Sequence, residues 1–187
     1  MSTEVRTEFL TSLSPPQLLR RNNFNKLLAL NLTQFERVVI LDNDCVALRS
    51  IDDLAWSVPT PAAACHPRRS FALCSFNFGV HVLSPSSEAA TALLRSYATR
   101  KRTNNGGEQE VWANHHTSVY ELPIGYNAHR GLEMSEDEWR QVRIVHAISG
   151  HQVNRLPTWL HERMQSLELN ASRIIQGFLD QKRKQPE

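Results

Sequence analysis

Two carboxylates at the end of an apolar run are the residues of this chain best suited to chemistry. Val38-Val39-Ile40-Leu41 runs straight into Asp42, Asn43 and Asp44. A short apolar run rich in β-branched residues reads as a fully buried strand, typical of a parallel sheet. Such strands deliver their chemistry at the carboxyl end, where the crevice of an open α/β sheet lies. In an extended segment, side chains at i and i+2 point to the same side. Two hard oxygen donors on one side can hold Mn²⁺ or Mg²⁺, and such an ion shares its remaining positions with substrate phosphates. The alternative is a strand that ends in a polar turn, because Asp is common in turns.

The flanking elements must hold that pair in place. Residues 1–22 are expected to be irregular, interrupted by Pro15 and Pro16. Asn23 then caps a short helix carrying Lys26, with Phe24, Leu27, Leu28 and Leu30 as its apolar residues. Beyond the acidic turn, 46–48 stays extended and 51–54 begins a helical turn. Pro59, Pro61 and Pro67 favour a loop over residues 57–70. A second strand region, 71–83, centres on Asn77-Phe78-Gly79-Val80, and a glycine within a strand marks close approach by a ligand or another segment. Ser84-Pro85 starts a helix. Glu108 and Gln109 open another, after a polar loop ending in Asn105-Gly106-Gly107. Helix starts expose N–H donors that suit anions or sugar hydroxyls. Strands are expected at 119–122 and 142–145, the latter ending in His146, with an acidic surface stretch at 131–140 between them. A long amphipathic helix, 159–182, then buries Leu160, Met164, Leu167, Ile174, Ile175, Phe178 and Leu179. It forms, with a basic tail, the C-terminal segment 159–187.

Bulk properties exclude several classes. The chain has 187 residues, enough for one domain with a real core. Hydrophobic residues make up 41% and charged residues 21%, which is a globular rather than a disordered composition. Lys+Arg at 21 against Asp+Glu at 19 leaves no broad basic field, so nucleic acid is not implied. No apolar run approaches a membrane span. The three cysteines, Cys45, Cys65 and Cys74, lack metal-ligand spacing and read as reduced thiols in a cytoplasmic setting.

Five blocks in order carry a resemblance. FNKLLALNLTQFERVVILDNDCVALRSIDDL resembles the segment around the Asp-x-Asp motif of glycosyltransferase family 8. SFNFGVHVLSPS, NNGGEQEVWANHH, ELPIGYNA and VRIVHAISG resemble that family's later blocks. The resemblance spans roughly residues 24–160. It implies an α/β GT-A fold, with a mixed, mostly parallel sheet flanked by helices. It also implies transfer of a hexose from a UDP-sugar, with retention at the anomeric carbon, to a sugar or protein acceptor. Asp42 and Asp44 match the family's metal-binding aspartates, and His146 its third ligand to Mn²⁺ (or Mg²⁺). Lys26 matches the lysine near the donor phosphates, and Asn77 and Gly79 match residues near the donor sugar. Asn105 and Gly107 fall in the substrate-binding block, where Asn105 replaces a usual Asp. Glu108 and Gln109 match the catalytic acidic residue and glutamine.

The family's members carry a nucleotide-binding βα region ahead of the lysine helix, whereas here 23 residues precede Phe24. The sheet is therefore expected to lack its first βα units and to expose an apolar edge. From this follows the competing expectation of a catalytically inactive binding or partner protein, associated with another chain along that edge. A third reading, a phosphohydrolase of the haloacid dehalogenase type, uses Asp42 as nucleophile and Asp44 as acid/base. That family also needs a Gly-Asp block, and this sequence has no Gly-Asp pair.

Overall fold

The computed structural model describes residues 21–66, 75–99, 108–147 and 154–183. Its strands are β1 (Val38–Leu41), β2 (Cys45–Ala47), β3 (Ala62–His66), β4 (Ser75–Leu83), β5 (Tyr120–Leu122), β6 (Ala128–His129) and β7 (Ile144–His146). Its α-helices are α1 (Asp52–Trp56), α2 (Ser87–Thr99), α3 (Glu108–His115), α4 (Glu136–Gln141) and α5 (Thr158–Arg183). A 3₁₀ helix, Arg21–Asn31, precedes β1. It takes in Asn23, the expected cap, and the last two residues of the segment expected to be irregular.

The strands form two sheets, ordered β1-β4-β3-β5 and β2-β7-β6. The mixed character matches expectation, but the mostly parallel weighting does not hold among the described residues. β1 pairs antiparallel with β4, β4 with β3, and β2 with β7. Only β3–β5 and β6–β7 run parallel. The apolar run of β1 packs its alternate residues against the clusters on the two faces of the sheet and does not report a parallel partner. Its four residues are half-buried rather than fully buried, and β1 is the end strand of its sheet.

β3 forms within the segment read as a loop. Prolines bracket it, but its Ala62-Ala63-Ala64 core is fully buried between neighbours, and burial overrides the local signal. The expected cap Ser84 is replaced by Ser86, whose Oγ accepts from Ala89 N at 3.2 Å. Residues 131–140 are not wholly surface: Trp139 of α4 is 1% exposed, behind a capping box of Ser135 and Glu138.

Three apolar clusters hold these layers. The 3₁₀ helix, α2 and α3 cover one face of the first sheet through Leu27, Leu30, Leu93, Leu94, Trp112 and Phe78. Leu54, Val80, Val82, Leu122 and Ile144 fill the other face. Trp139, Val145, Leu160 and Met164 join α4 and α5 to the second sheet. Burying each such large side chain contributes about 1.5–3 kcal/mol. In α5, Ile174 is exposed rather than buried, while the side chains of Ile175, Phe178 and Leu179 lie outside the described residues.

Cys65 is disulfide-bonded and Cys45 is free; Cys74 lies outside the described residues. The reading of three reduced thiols therefore fails. One support for a cytoplasmic setting goes with it, because disulfides persist in oxidising compartments. Among the described residues, no helix is long and apolar enough to cross a membrane.

Candidate active site

Asp42 to Asp44 is the seam between the two sheets. β1 ends at Leu41 in the first and β2 begins at Cys45 in the second. The seam is a turn, closed by Cys45 N donating to Asp42 O at 3.0 Å. The two carboxylates are therefore placed by a turn, not by the alternation of an extended strand. Asp42 N donates to Gly79 O at 2.8 Å, which ties the turn to β4.

His146 completes the group from β7, opposite Cys45. Its Nε2 lies 3.2 Å from Asp44 Oδ1 and 3.7 Å from Asp42 Oδ2. Two carboxylate oxygens and a ring nitrogen so close repel one another unless a proton or a cation lies among them. This donor set suits Mn²⁺ or Mg²⁺ for its oxygens and Mn²⁺ better for its imidazole. Among the described residues, the group whose donor atoms all lie within 4.8 Å of one another is Asp44, Cys45 and His146, with Asp42 just outside it. Cys45 is the weaker claimant, because its Sγ donates to Gly79 O at 3.5 Å. Burial, with Asp42 beside it, pushes its thiol up to about 12, which disfavours the thiolate that a metal requires.

Gly79 is where it is because β4 bulges. His81 faces Ala63 while Asn77 faces Ala64, so Phe78, Gly79 and Val80 form the bulge. Bulges beside functional sites re-aim the chain. Here the bulge lays Gly79 against the His146 ring. A Cβ on Gly79 would stand 2.4 Å from His146 Cε1 and 2.7 Å from Asn77 Oδ1.

A depression of about 460 Å³ opens over the seam, lined by Asn25, Lys26, Leu41, Asp42, Asn43, Asp44, Glu108 and Gln109. Lys26 pairs with Asp42, and its Nζ lies 3.0 Å from Glu108 Oε1. Burial pulls the ammonium pKa down, but Glu108 and Asp42 together outweigh it, and the value is raised. Lys26 is a fixed positive charge. Gln109 Oε1 accepts from Phe78 N at 3.2 Å, which leaves its amide NH₂ as the free donor end.

The structure thus brings Asp42, Asp44, His146, Lys26, Glu108 and Gln109 to one place. Asn77 and Gly79 do not line the depression; Gly79 lies against the His146 ring, and Asn77 is linked to it through Asn127. Asn105 and Gly107 lie outside the described residues. Asn127, fully buried and bonded to His146 Nδ1 at 2.9 Å, carries no role in the sequence reading. Its one sequence signal is its place after Tyr126 in the ELPIGYNA block.

No family model matches the chain. Two curated relatives from Arabidopsis thaliana are similar in sequence. The putative glucuronosyltransferase PGSIP7 is 28% identical over 64% of this chain and 24% of its own length. The putative glucuronosyltransferase PGSIP8 is 28% identical over 54% and 19%. The glucose N-acetyltransferase 1 of Gibberella zeae is 36% identical over 32% of this chain and 15% of its own. The chain thus spans a quarter or less of the length of these relatives. Among solved structures, the glycosyltransferase GlyE of Streptococcus pneumoniae matches 88% of this chain and 48% of its own, at a TM-score of 0.57 and 18% identity. The bifunctional glycosyltransferase WbbM matches 70% and 32%, at 0.52 and 14%. The architecture of this chain is that of the GT-A type of glycosyltransferase.

Proposed function

We propose that this domain transfers a hexose from a UDP-sugar to a sugar or protein acceptor, with retention at the anomeric carbon and dependence on Mn²⁺ or Mg²⁺. The supporting observation is the convergence of Asp42, Asp44 and His146 beside a depression that also holds a cation and a carboxylate. A divalent ion held by those three residues supplies positive charge against the departing diphosphate. Lys26 adds a point charge on the same side, shared between Asp42 and Glu108 until an anion arrives. Glu108 and Gln109, at the start of α3, face the depression where the sugar would lie. The Gln109 amide offers an N–H to a sugar oxygen, and Glu108 balances positive character developing on the ring.

The test is thermal unfolding with UDP, with and without Mn²⁺, beside Asp44→Ala. Ligand at about 100 times its dissociation constant adds about 2.7 kcal/mol. For a chain of this size the midpoint rises by roughly 5–11 °C. The rise should require Mn²⁺ and vanish in Asp44→Ala. A transition indifferent to both ligands sinks the metal–diphosphate reading.

A second reading has its own observation. β1 has β4 as its hydrogen-bonded neighbour and is the end strand of the described sheet. An apolar end strand is a pairing surface. In that reading the domain binds nucleotide, or completes its sheet against another chain, without transferring sugar. Donor screening with Mn²⁺ separates the two, since sugar transfer occurs only in the first.

A further inference from the structure

We infer that Asn127 is a positioning residue that locks His146 in one tautomer, with the proton on Nδ1 and the Nε2 lone pair turned toward Asp42 and Asp44. The inference rests on the metal-dependent reading above and deepens it.

The argument starts from a group whose polarity is fixed. Gly79 N is a backbone donor, and Asn77 Oδ1 accepts from it at 2.8 Å. The atom of Asn77 at that position must therefore be the carbonyl oxygen, which settles the orientation of its amide. The same oxygen faces Asn127 Nδ2 at 2.9 Å. A carbonyl oxygen accepts only, so the Asn127 group facing it must be the NH₂. The other end of Asn127 is then its Oδ1, which lies 2.9 Å from His146 Nδ1. That oxygen also accepts only, so the proton of a neutral His146 sits on Nδ1. Nε2 is left without a proton, its lone pair pointing at Asp44 Oδ1 and Asp42 Oδ2.

Nothing in this chain of bonds is left to side-chain choice. It runs from a backbone N–H through two buried amides to the imidazole. Asn77 is 6% exposed, Asn127 0% and His146 3%, so water does not compete for these bonds. Gly79 lies close against the same end of the ring, because any Cβ there would overlap Cε1 and Nδ1. Metal-binding histidines are oriented by such a partner on the second nitrogen, and removing the partner costs about 10–100-fold in metal affinity.

The test uses ¹⁵N-labelled full chain. The ring-nitrogen signals of His146, assigned by their loss in His146→Gln, are read at alkaline pH with diamagnetic Mg²⁺ present. The wild type should show a protonated Nδ1. Asn127→Leu removes the acceptor and should shift the ring toward the Nε2–H form. Asn127→Asp keeps an oxygen acceptor and should restore the Nδ1–H signature. Mn²⁺ alone, titrated by its paramagnetic resonance signal, should bind Asn127→Leu about 10–100-fold more weakly than wild type. A protonated Nε2 in the wild type overturns the inference, as does an Asn127→Leu protein with unchanged tautomer and Mn²⁺ affinity. If Asn127→Leu does not fold, the wild-type and Asn127→Asp tautomers still decide. A protonated Nδ1 in a wild type that binds no Mn²⁺ upholds the tautomer and overturns the metal reading alone.

Discussion

Lys26 Nζ lies 3.0 Å from Glu108 Oε1, joining residues 82 positions apart across the mouth of the depression. Glu108 is 5% exposed, so its carboxylate depends on that cation. Lys26→Met should destabilise the fold by about 2–3 kcal/mol, below the value for a wholly buried pair because the Lys26 side chain keeps some exposure. Urea unfolding at neutral pH measures this. Adding Glu108→Gln should recover part of the loss, and a double-mutant cycle that shows simple additivity refutes the coupling. The raised Lys26 pKa fixes the sign of the pH dependence: the contribution is whole at neutral pH and fades only as pH rises past the lysine range.

Gly79 is needed for room. Its added Cβ would stand 2.6 Å from His146 Nδ1, the nitrogen that Asn127 bonds. Gly79→Ala should lower stability by about 1–3 kcal/mol, as overpacking does. On the proposed metal-dependent reading the same variant should also weaken Mn²⁺ binding, because relief comes from moving His146. An alanine variant with wild-type unfolding midpoint and Mn²⁺ affinity would show that the contact is relieved elsewhere.

His81 and His116 set a response to acid. Their Nε2 atoms face each other at 3.2 Å beside Trp112, and His81 is fully buried. Burial, then His116, holds His81 down at about 3; burial, then His115, holds His116 at about 4. The unfolded chain binds these protons more readily, so their contribution is whole above the ordinary histidine value of 6.5. It is lost as pH falls from there toward the folded values, by up to about 1.4 kcal/mol per pH unit for each ring. Between pH 7 and 5 the wild type should lose about 1–2 kcal/mol more than His81→Phe in urea unfolding. Equal losses would remove His81 from the account.

The residues that meet around the seam were more legible in the sequence than the strand pairing that brings them there. Val38 to Asp44 announced both the strand and its acidic end, because an apolar run meeting two carboxylates is a local pattern. Lys26, Glu108, Gln109 and His146 followed from ordered blocks, and the structure gathers them within one neighbourhood. What local pattern does not encode is pairing. The antiparallel match of β1 to β4 depends on residues about forty positions downstream. β3 was hidden by flanking prolines whose turn signals say nothing about the buried alanines between them. Asn127 was silent for a similar reason: its work is visible only once Asn77 and His146 are its neighbours. The disulfide at Cys65 likewise depends on proximity, which cysteine spacing alone does not state.

The seam between the sheets carries a mechanical consequence. Asp42 leaves the first sheet, Asp44 enters the second, and His146 belongs to the second alone. A cation gripped by all three would be a rivet through both layers. Its grip would report their alignment, since Asp42 is the one of the three on the side of the first sheet. Loading such a rivet should slow amide exchange in β4 and β7 together, although no hydrogen bond joins the two strands.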